Sequence, residues 1–210
     1  MCTNLYVVRH GQSQGNLHDL FLGHTDMPLT ELGFEQAALT ANHLDNIPVD
    51  AIYSSDLARA YQTAQVTAQR KGLPVITNPA LRELYAGQWE GQPYYQLQEH
   101  WPEAFQTWET DFGNSYCPGG ETVLQMQNRI TAAVEKIARE NPGRSVCIFS
   151  HAVAIRALSA AWLNLSPEEL QDHPWATNSS VTHAIYQDGK FTLIEYSRDD
   201  FMGNKCTGFA

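Results

Sequence analysis

Four short apolar runs that alternate with helix-forming stretches restrict the possible folds of this chain more than any other feature. Residues 5–8, 51–53, 75–76 and 146–149 are too short for helices and rich in Val, Ile, Tyr and Phe, which predicts strands. Helical patterns follow. One starts at a Thr30 N-cap and runs to about residue 44, and one starts at Ser54-Ser55-Asp56 and runs to about residue 70, where Gly72 and Pro74 end it. A third spans about 121–139, with Val123, Met126, Ile130, Val134 and Ile137 on one face, and Asn141-Pro142-Gly143 closes it. Another helix follows His151, and Asp188-Gly189 between two apolar runs signals a hairpin. The alternation predicts an α/β fold, a three-layer α/β/α sandwich with a mostly parallel central sheet. At 210 residues the chain suits one domain over 1–210, with a small helical, aromatic cap inserted at about 85–120.

In sheets of this class ligands sit beyond the carboxyl ends of the strands. Arg9 and His10 follow the first run, Arg59 lies just after the second, Glu83 follows the third, and His151 follows the fourth. Each has a bland alternative: His151 could cap a helix, Arg59 could be a solvated charge, and Glu83 could pair with Arg82. Five such groups from four strand ends on one rim point instead to a shared site.

Composition narrows the ligand. A net charge of −10 disfavours nucleic acid and anionic membranes as partners, so any bound anion must be drawn in by a few local cations. No stretch has the roughly 20 apolar residues of a membrane helix, and the N-terminus lacks a signal-peptide layout. Cys2, Cys117, Cys147 and Cys206 form no CxxC pair, which suits reduced thiols and a cytoplasmic location. The sequence leaves the oligomeric state open.

Several segments together resemble the histidine phosphatase superfamily, which includes the cofactor-dependent phosphoglycerate mutases. Arg9-His10-Gly11-Gln12-Ser13-Gln14-Gly15-Asn16 looks like its opening signature, and Gly23-His24-Thr25-Asp26-Met27-Pro28-Leu29-Thr30 resembles the next block. Ser54-Ser55-Asp56-Leu57-Ala58-Arg59-Ala60-Tyr61-Gln62-Thr63-Ala64 is similar to its second-arginine motif, Leu81-Arg82-Glu83-Leu84 with Gly87-Gln88-Trp89-Glu90-Gly91 to its acid block, and Ser150-His151-Ala152-Val153-Ala154-Ile155-Arg156 to its second-histidine block. The blocks come in family order.

The resemblance implies that His10 is a nucleophile, that Arg9, Asn16, Arg59 and His151 clamp phosphate, and that Glu83 donates a proton. Elementary chemistry is compatible with each role. A neutral imidazole can attack phosphorus, and planar guanidinium forks match phosphoryl oxygens. The backbone N–H of Ala152, at a helix start, can face the same anion. A positioned acid contributes roughly 10²–10⁴-fold when an alkoxide must leave. The expected activity is hydrolysis of a small-molecule phosphate monoester, with no cofactor. No metal is expected either, since there is no HExxH pair and two arginines at the rim would repel a dication.

Two alternatives are a phosphoglycerate mutase and a non-catalytic phospho-ligand binder. The mutases resembling this family carry extra cations between the acid and the long helix, whereas residues 83–128 here contain no Lys or Arg. Where those mutases place a tyrosine three residues after the acid, this chain has Ala86. Retention of both His10 and Glu83 argues against a mere binder, because binding needs no proton donor. Residues 83–128 are rich in Tyr, Trp and Phe, mostly suited to packing the cap, with a few left for a substrate mouth. Leu22, Gly23 and Tyr85 are the candidate substrate contacts. Glu99, Glu103, Glu109 and Asp111 predict a preference for monoesters of neutral or aromatic alcohols over phosphoglycerates and bisphosphates. That expectation fails if Arg70, Lys71, Arg156, Arg198 or Lys205 reaches the mouth.

Overall fold

A computed structural model describes residues 1–208. In chain order the elements are β1 (Thr3–Arg9), α1 (Gln14–Leu17), β2 (Leu20–Phe21), α2 (Glu31–Leu44), β3 (Ala51–Ser54), α3 (Ala58–Lys71), β4 (Val75–Thr77) and β5 (Gln92–Pro93). There follow α4 (Tyr94–His100), α5 (Pro102–Thr110), α6 (Val123–Glu140), β6 (Ser145–Ser150), α7 (Ala152–Leu163), α8 (Pro167–Leu170), β7 (Val181–Gln187) and β8 (Lys190–Arg198). The main sheet has the order β4-β3-β6-β1-β7-β8. The first four strands are mutually parallel and β7–β8 adds an antiparallel edge. This is the mostly parallel α/β sheet expected, with helices on both faces.

Period-two alternation along the strands builds two cores. Leu5, Val7, Val146 and Ile148 face one way, with the apolar stripe of α6 and with α7. Val8, Cys147 and Phe149 face the other, against Leu44 of α2 and Ala64 and Ala68 of α3. Met126, Ile130 and Val134 of the stripe are at most 1% exposed, and each such burial contributes about 1.5–3 kcal/mol. Thr30 caps α2 through the Gly33 N–H, and Gly72 ends α3 in the left-handed conformation, both as the sequence predicts. Asp188 and Gly189 form the β7–β8 turn with positive φ.

The start of α3 differs from expectation. It begins at Ala58, not at residues 54–56, and Leu57 gives no side-chain cap. Ser55 instead stays beside the sheet, its N–H bonded to the Phe149 carbonyl (2.9 Å) and its Oγ 2.8 Å from His151 Nε2, and a bend at 56–57 precedes the helix. Asp26, from the loop between β2 and α2, accepts from the Ala58 N–H instead (2.7 Å). Two short helices, α4 and α5, split at Pro102, occupy the segment expected to form a cap. Trp89, Trp108 and Phe112 there are buried and pack edge to face, while Tyr85, Tyr95 and Tyr116 stay exposed. Among the described residues no helix is long and apolar enough to cross a membrane.

Candidate active site

Strand register delivers the site. Arg9 at the end of β1 pairs with Ser150 at the end of β6, and Ser54 at the end of β3 pairs with Phe149. The residues that come next, His10, His151 and Ser55, therefore emerge side by side, and the His10 N–H bonds to the Ser150 carbonyl (3.0 Å). The His10 and His151 rings meet edge-on with centroids 5.2 Å apart. Gly11 must be glycine for this turn, since a Cβ there would lie 2.4 Å from the Gly33 carbonyl oxygen.

His10 is 3% exposed, and its Nδ1 lies 2.7 Å from the Gly11 carbonyl oxygen. A carbonyl can only accept, so Nδ1 carries the hydrogen and Nε2 holds the free lone pair. Burial first, then the charges of Arg59 and Arg9, hold the His10 pKa well below the usual 6.5. The neutral form is thus available in acid as well as at neutral pH.

Arg9 and Arg59 are each 1% exposed. Burial lowers both to about 10, while Glu83 opposes the shift, so both stay charged at neutral pH. Arg9 donates to the Ala176 carbonyl (2.5 Å), and Arg59 to those of Gly23 (2.8 Å) and Thr25 (2.9 Å). The loop holding Arg59 is itself held by Glu90. That carboxylate accepts from the N–H groups of His24 (2.7 Å) and Thr25 (2.5 Å) and from the Thr25 hydroxyl (2.6 Å). Gly23 has φ +50°, and a Cβ there would meet Glu90 and Ala86 at 2.4 and 2.6 Å.

Glu83 reaches the rim because Ser150 Oγ donates to the Leu81 carbonyl (2.8 Å) and Arg129 donates to the carbonyls of Ala80, Arg82 and Glu83 (3.0–3.1 Å). Its carboxylate then accepts from the Leu84, Val153 and Ala154 N–H groups (3.0–3.1 Å), so it sits at the N-terminus of α7. Ala152, which precedes those donors, lines the cavity.

Asn16 uses Oδ1 for all its side-chain bonds among the described residues, accepting from Ser13 N and Oγ (both 3.0 Å) and from Asn178 (3.4 Å). That leaves its Nδ2 amine for a ligand. His151 is wholly buried and neutral by the same logic as His10. Its Nε2 meets Ser55, and its Nδ1 has no partner among the described residues.

Two connected spaces open here. The inner one, about 60 Å³, is lined by Arg9, His10, Asn16, Arg59, Glu83 and Ala152, with Leu22 and Gly23 also on its wall. An outer chamber of about 680 Å³ shares Arg9, Asn16, Tyr94 and Trp108 with it. Tyr85 lines neither: it is 43% exposed and tilts against His24.

Of the five cations held in reserve, Arg156 does reach the outer chamber, which departs from an expectation built on residues 83–128 alone. Arg70 pairs with Asp45, Arg198 with Asp200, Lys205 with Glu35, and Lys71 donates to the carbonyls of Asp45 and Ile47. The acids in the chamber are Asp19 and Glu109; Glu99, Glu103 and Asp111 lie outside it. Sequence reasoning missed the positioning roles of Glu90, Arg129 and Asn178. Asn178 donates to the His10 carbonyl (3.1 Å) from 168 residues away, a relation with no local signal.

A buried neutral imidazole and two buried guanidiniums line one cavity at the carboxyl rim of a parallel sheet, an arrangement whose charge and size suit a compact oxyanion. Comparison with known proteins specifies the class. The chain belongs to the histidine phosphatase superfamily (branch 1), whose family model matches residues 5–199. It is 34% identical over 161 residues to phosphoserine phosphatase 1 of Hydrogenobacter thermophilus, covering 77% of this chain and 76% of that one. It is also 34% identical over 188 residues to a probable phosphoglycerate mutase, GpmB, of Yersinia pestis, covering 88% and 85%. Among solved structures it superposes on Bacillus stearothermophilus YhfR (TM-score 0.91, 28% identity, 95% and 99% covered). A mycobacterial glucosyl-3-phosphoglycerate phosphatase is similarly close (TM-score 0.86, 30% identity, 95% and 100% covered).

Proposed function

We propose that the protein is a phosphomonoesterase that works through a phosphohistidine on His10. The observation that carries this reading is the Nδ1–H bond to the Gly11 carbonyl, which leaves Nε2 unprotonated in a cavity flanked by Arg9 and Arg59. In the first step Nε2 attacks phosphorus and the ester P–O bond breaks. Glu83 gives a proton to the departing alkoxide. In the second step water attacks phosphorus, the P–N bond breaks, Glu83 takes the water's proton, and phosphate leaves a neutral His10. Arg9, Arg59, Asn16 Nδ2 and His151 Nδ1 supply donors for the phosphoryl oxygens, the main demand of such a transfer. The charge comes from arginine, so no metal or cofactor enters either step. The phosphatase names of two relatives support hydrolysis, as does the lack of Lys and Arg over residues 83–128.

Rapid quench with labelled phenyl phosphate tests the reading. An acid-labile, base-stable adduct forms on the wild type, and His10→Ala loses both adduct and turnover, by at least about 10⁴-fold. Label that persists in the alanine variant overturns it.

Mutase chemistry is the second reading, favoured by the GpmB likeness and by Arg156 in the chamber. Product analysis with 3-phosphoglycerate separates the two: inorganic phosphate marks the hydrolase and 2-phosphoglycerate the mutase.

A further inference from the structure

Residues 205–207, which follow β8, are tied to two buried amides, Gln36 of α2 (0% exposed) and Asn178 (1% exposed). Gln36 Nε2 donates to the Lys205 carbonyl (2.7 Å) and to Thr207 Oγ1 (2.8 Å), and its Oε1 accepts from the Gln12 N–H (2.8 Å). Thr207 Oγ1 lies 3.1 Å from Asn178 Oδ1, and the Thr207 carbonyl accepts from the Asn178 N–H (2.7 Å). Asn178 Nδ2 in turn donates to the His10 carbonyl (3.1 Å) and to Asn16 Oδ1 (3.4 Å).

The direction of each bond in this series is fixed at its two ends. A backbone N–H only donates, so Gln36 turns Oε1 to Gln12 and Nε2 to Thr207. The Thr207 hydroxyl receives that hydrogen and gives its own to Asn178 Oδ1. At the other end the His10 carbonyl only accepts, so Asn178 must present Nδ2 to it and Oδ1 to Thr207. Both ends require the same arrangement, and Thr207 is the only hydrogen-bond partner of Asn178 Oδ1 among the described residues. Without that hydroxyl a buried acceptor is stranded, and rotation of the Asn178 amide to recover a partner loosens the His10 carbonyl and Asn16 together. The loosening is bounded, because the His10 carbonyl also accepts from the Ser179 N–H (3.2 Å) and Asn16 Oδ1 from Ser13 (3.0 Å).

Resting on the phosphomonoesterase reading, we propose that Thr207 is a positioning residue of the phosphate seat: its hydroxyl, aligned by Gln36, holds Asn178 so that Asn178 keeps the His10 carbonyl and Asn16 in place. A residue that meets neither phosphate nor the reacting atoms thereby sets the rate for every substrate.

Thr207→Val keeps the side-chain shape and removes the hydroxyl. In this variant kcat/KM falls by about 3- to 10-fold, the worth of one buried hydrogen bond, alike for phenyl phosphate and an alkyl phosphate. Affinity for inorganic phosphate, read by calorimetry, falls with it, and Thr207→Ser recovers most of both. Asn178→Ala removes the intermediary, so in that background Thr207→Val costs less than about twofold. Losses that multiply in the double variant overturn the proposal, as does a Thr207→Val enzyme with wild-type kcat/KM and phosphate affinity. A merely structural threonine would lower the urea midpoint and leave turnover and phosphate affinity unchanged. If Asn178→Ala does not fold, the valine and serine variants decide alone, and equal losses in the two overturn the proposal. A wild type that binds phosphate yet hydrolyses no ester counts against the phosphomonoesterase reading instead, while phosphate affinity in Thr207→Val still tests the hold on Asn178.

Discussion

Most side chains of the proposed phosphate seat are buried and tied to backbone: His10 to Gly11, Arg9 to Ala176, Arg59 to Gly23 and Thr25, and Glu83 to three N–H groups, two of them at the start of α7, while Asn16 and His151 also use the side chains of Ser13, Asn178 and Ser55. The outer chamber is built differently. Its wall draws Asp19 from the loop after α1, Tyr94 from α4, Trp108 and Glu109 from α5, and Arg156, Gln171 and Trp175 from the C-terminal third, with side-chain contacts such as Trp108 to Tyr94 (2.9 Å) joining them. Backbone tethers fix a position to within the accuracy of the sheet, whereas side-chain contacts between loops and short helices can change without disturbing the core. The seat is therefore suited to chemistry common to many substrates, and the chamber to the choice among them.

Substitutions in the seat should act on all substrates, and the largest such effect among its arginines tests this. Arg59→Ala removes a buried guanidinium from the phosphoryl oxygens and lowers kcat/KM by about 10³-fold or more, alike for aryl and alkyl phosphates. A loss confined to one substrate would break the division between the two regions. Glu83→Gln is the graded case. It costs about 10²–10⁴-fold with an alkyl phosphate and clearly less with an aryl phosphate, whose leaving group needs little protonation. Equal losses on both would assign Glu83 to holding α7 and not to proton transfer.

The pH dependence sharpens the electrostatic side. Because His10 is held well below 6.5, the acid limb of kcat/KM falls below that value. In Arg59→Met the limb moves upward, though not all the way to 6.5, because burial is the larger cause. Stability follows the same linkage. Above about 6.5 the imidazole is neutral both folded and unfolded. As pH falls below it, the unfolded chain takes up protons that buried His10 and His151 refuse, and stability is lost. Urea midpoints that stay level from pH 7 to 5 would contradict this.

In the chamber, Tyr94→Phe removes two hydrogen bonds at a cost of about 1 kcal/mol of stability in urea, with kcat on phenyl phosphate changed less than threefold. A loss on phenyl phosphate comparable to that of Arg59→Ala would show that the chamber shapes the seat after all. The smallest expected effect is none: exhaustive chelation leaves activity unchanged, and loss restored by zinc or magnesium would overturn the arginine-only account.

What the sequence determined by itself was local and periodic. Strand period and helix caps at Thr30 and Gly72 placed β1, β3 and β6, and the residues after those strands placed Arg9, His10 and His151, because a strand end and the side chain that follows it are neighbours in the chain. Even there the start of α3 was displaced: Ser55 stays beside the sheet, bonded to the Phe149 carbonyl and meeting His151, a partner 96 residues away. The tertiary structure alone decided what distant contacts control. Glu90 steadies the loop that holds Arg59, Arg129 and Ser150 carry Glu83 to α7, and Asn178 holds the carbonyl of His10. It also decided that Arg156, one charge in an otherwise apolar first stretch of α7, lines the chamber, although residues 83–128 predicted a mouth with no cation. The physical reason is the same in each case. A side chain's charge is written in its own residue, but the field in which it sits is made by groups that only folding brings near.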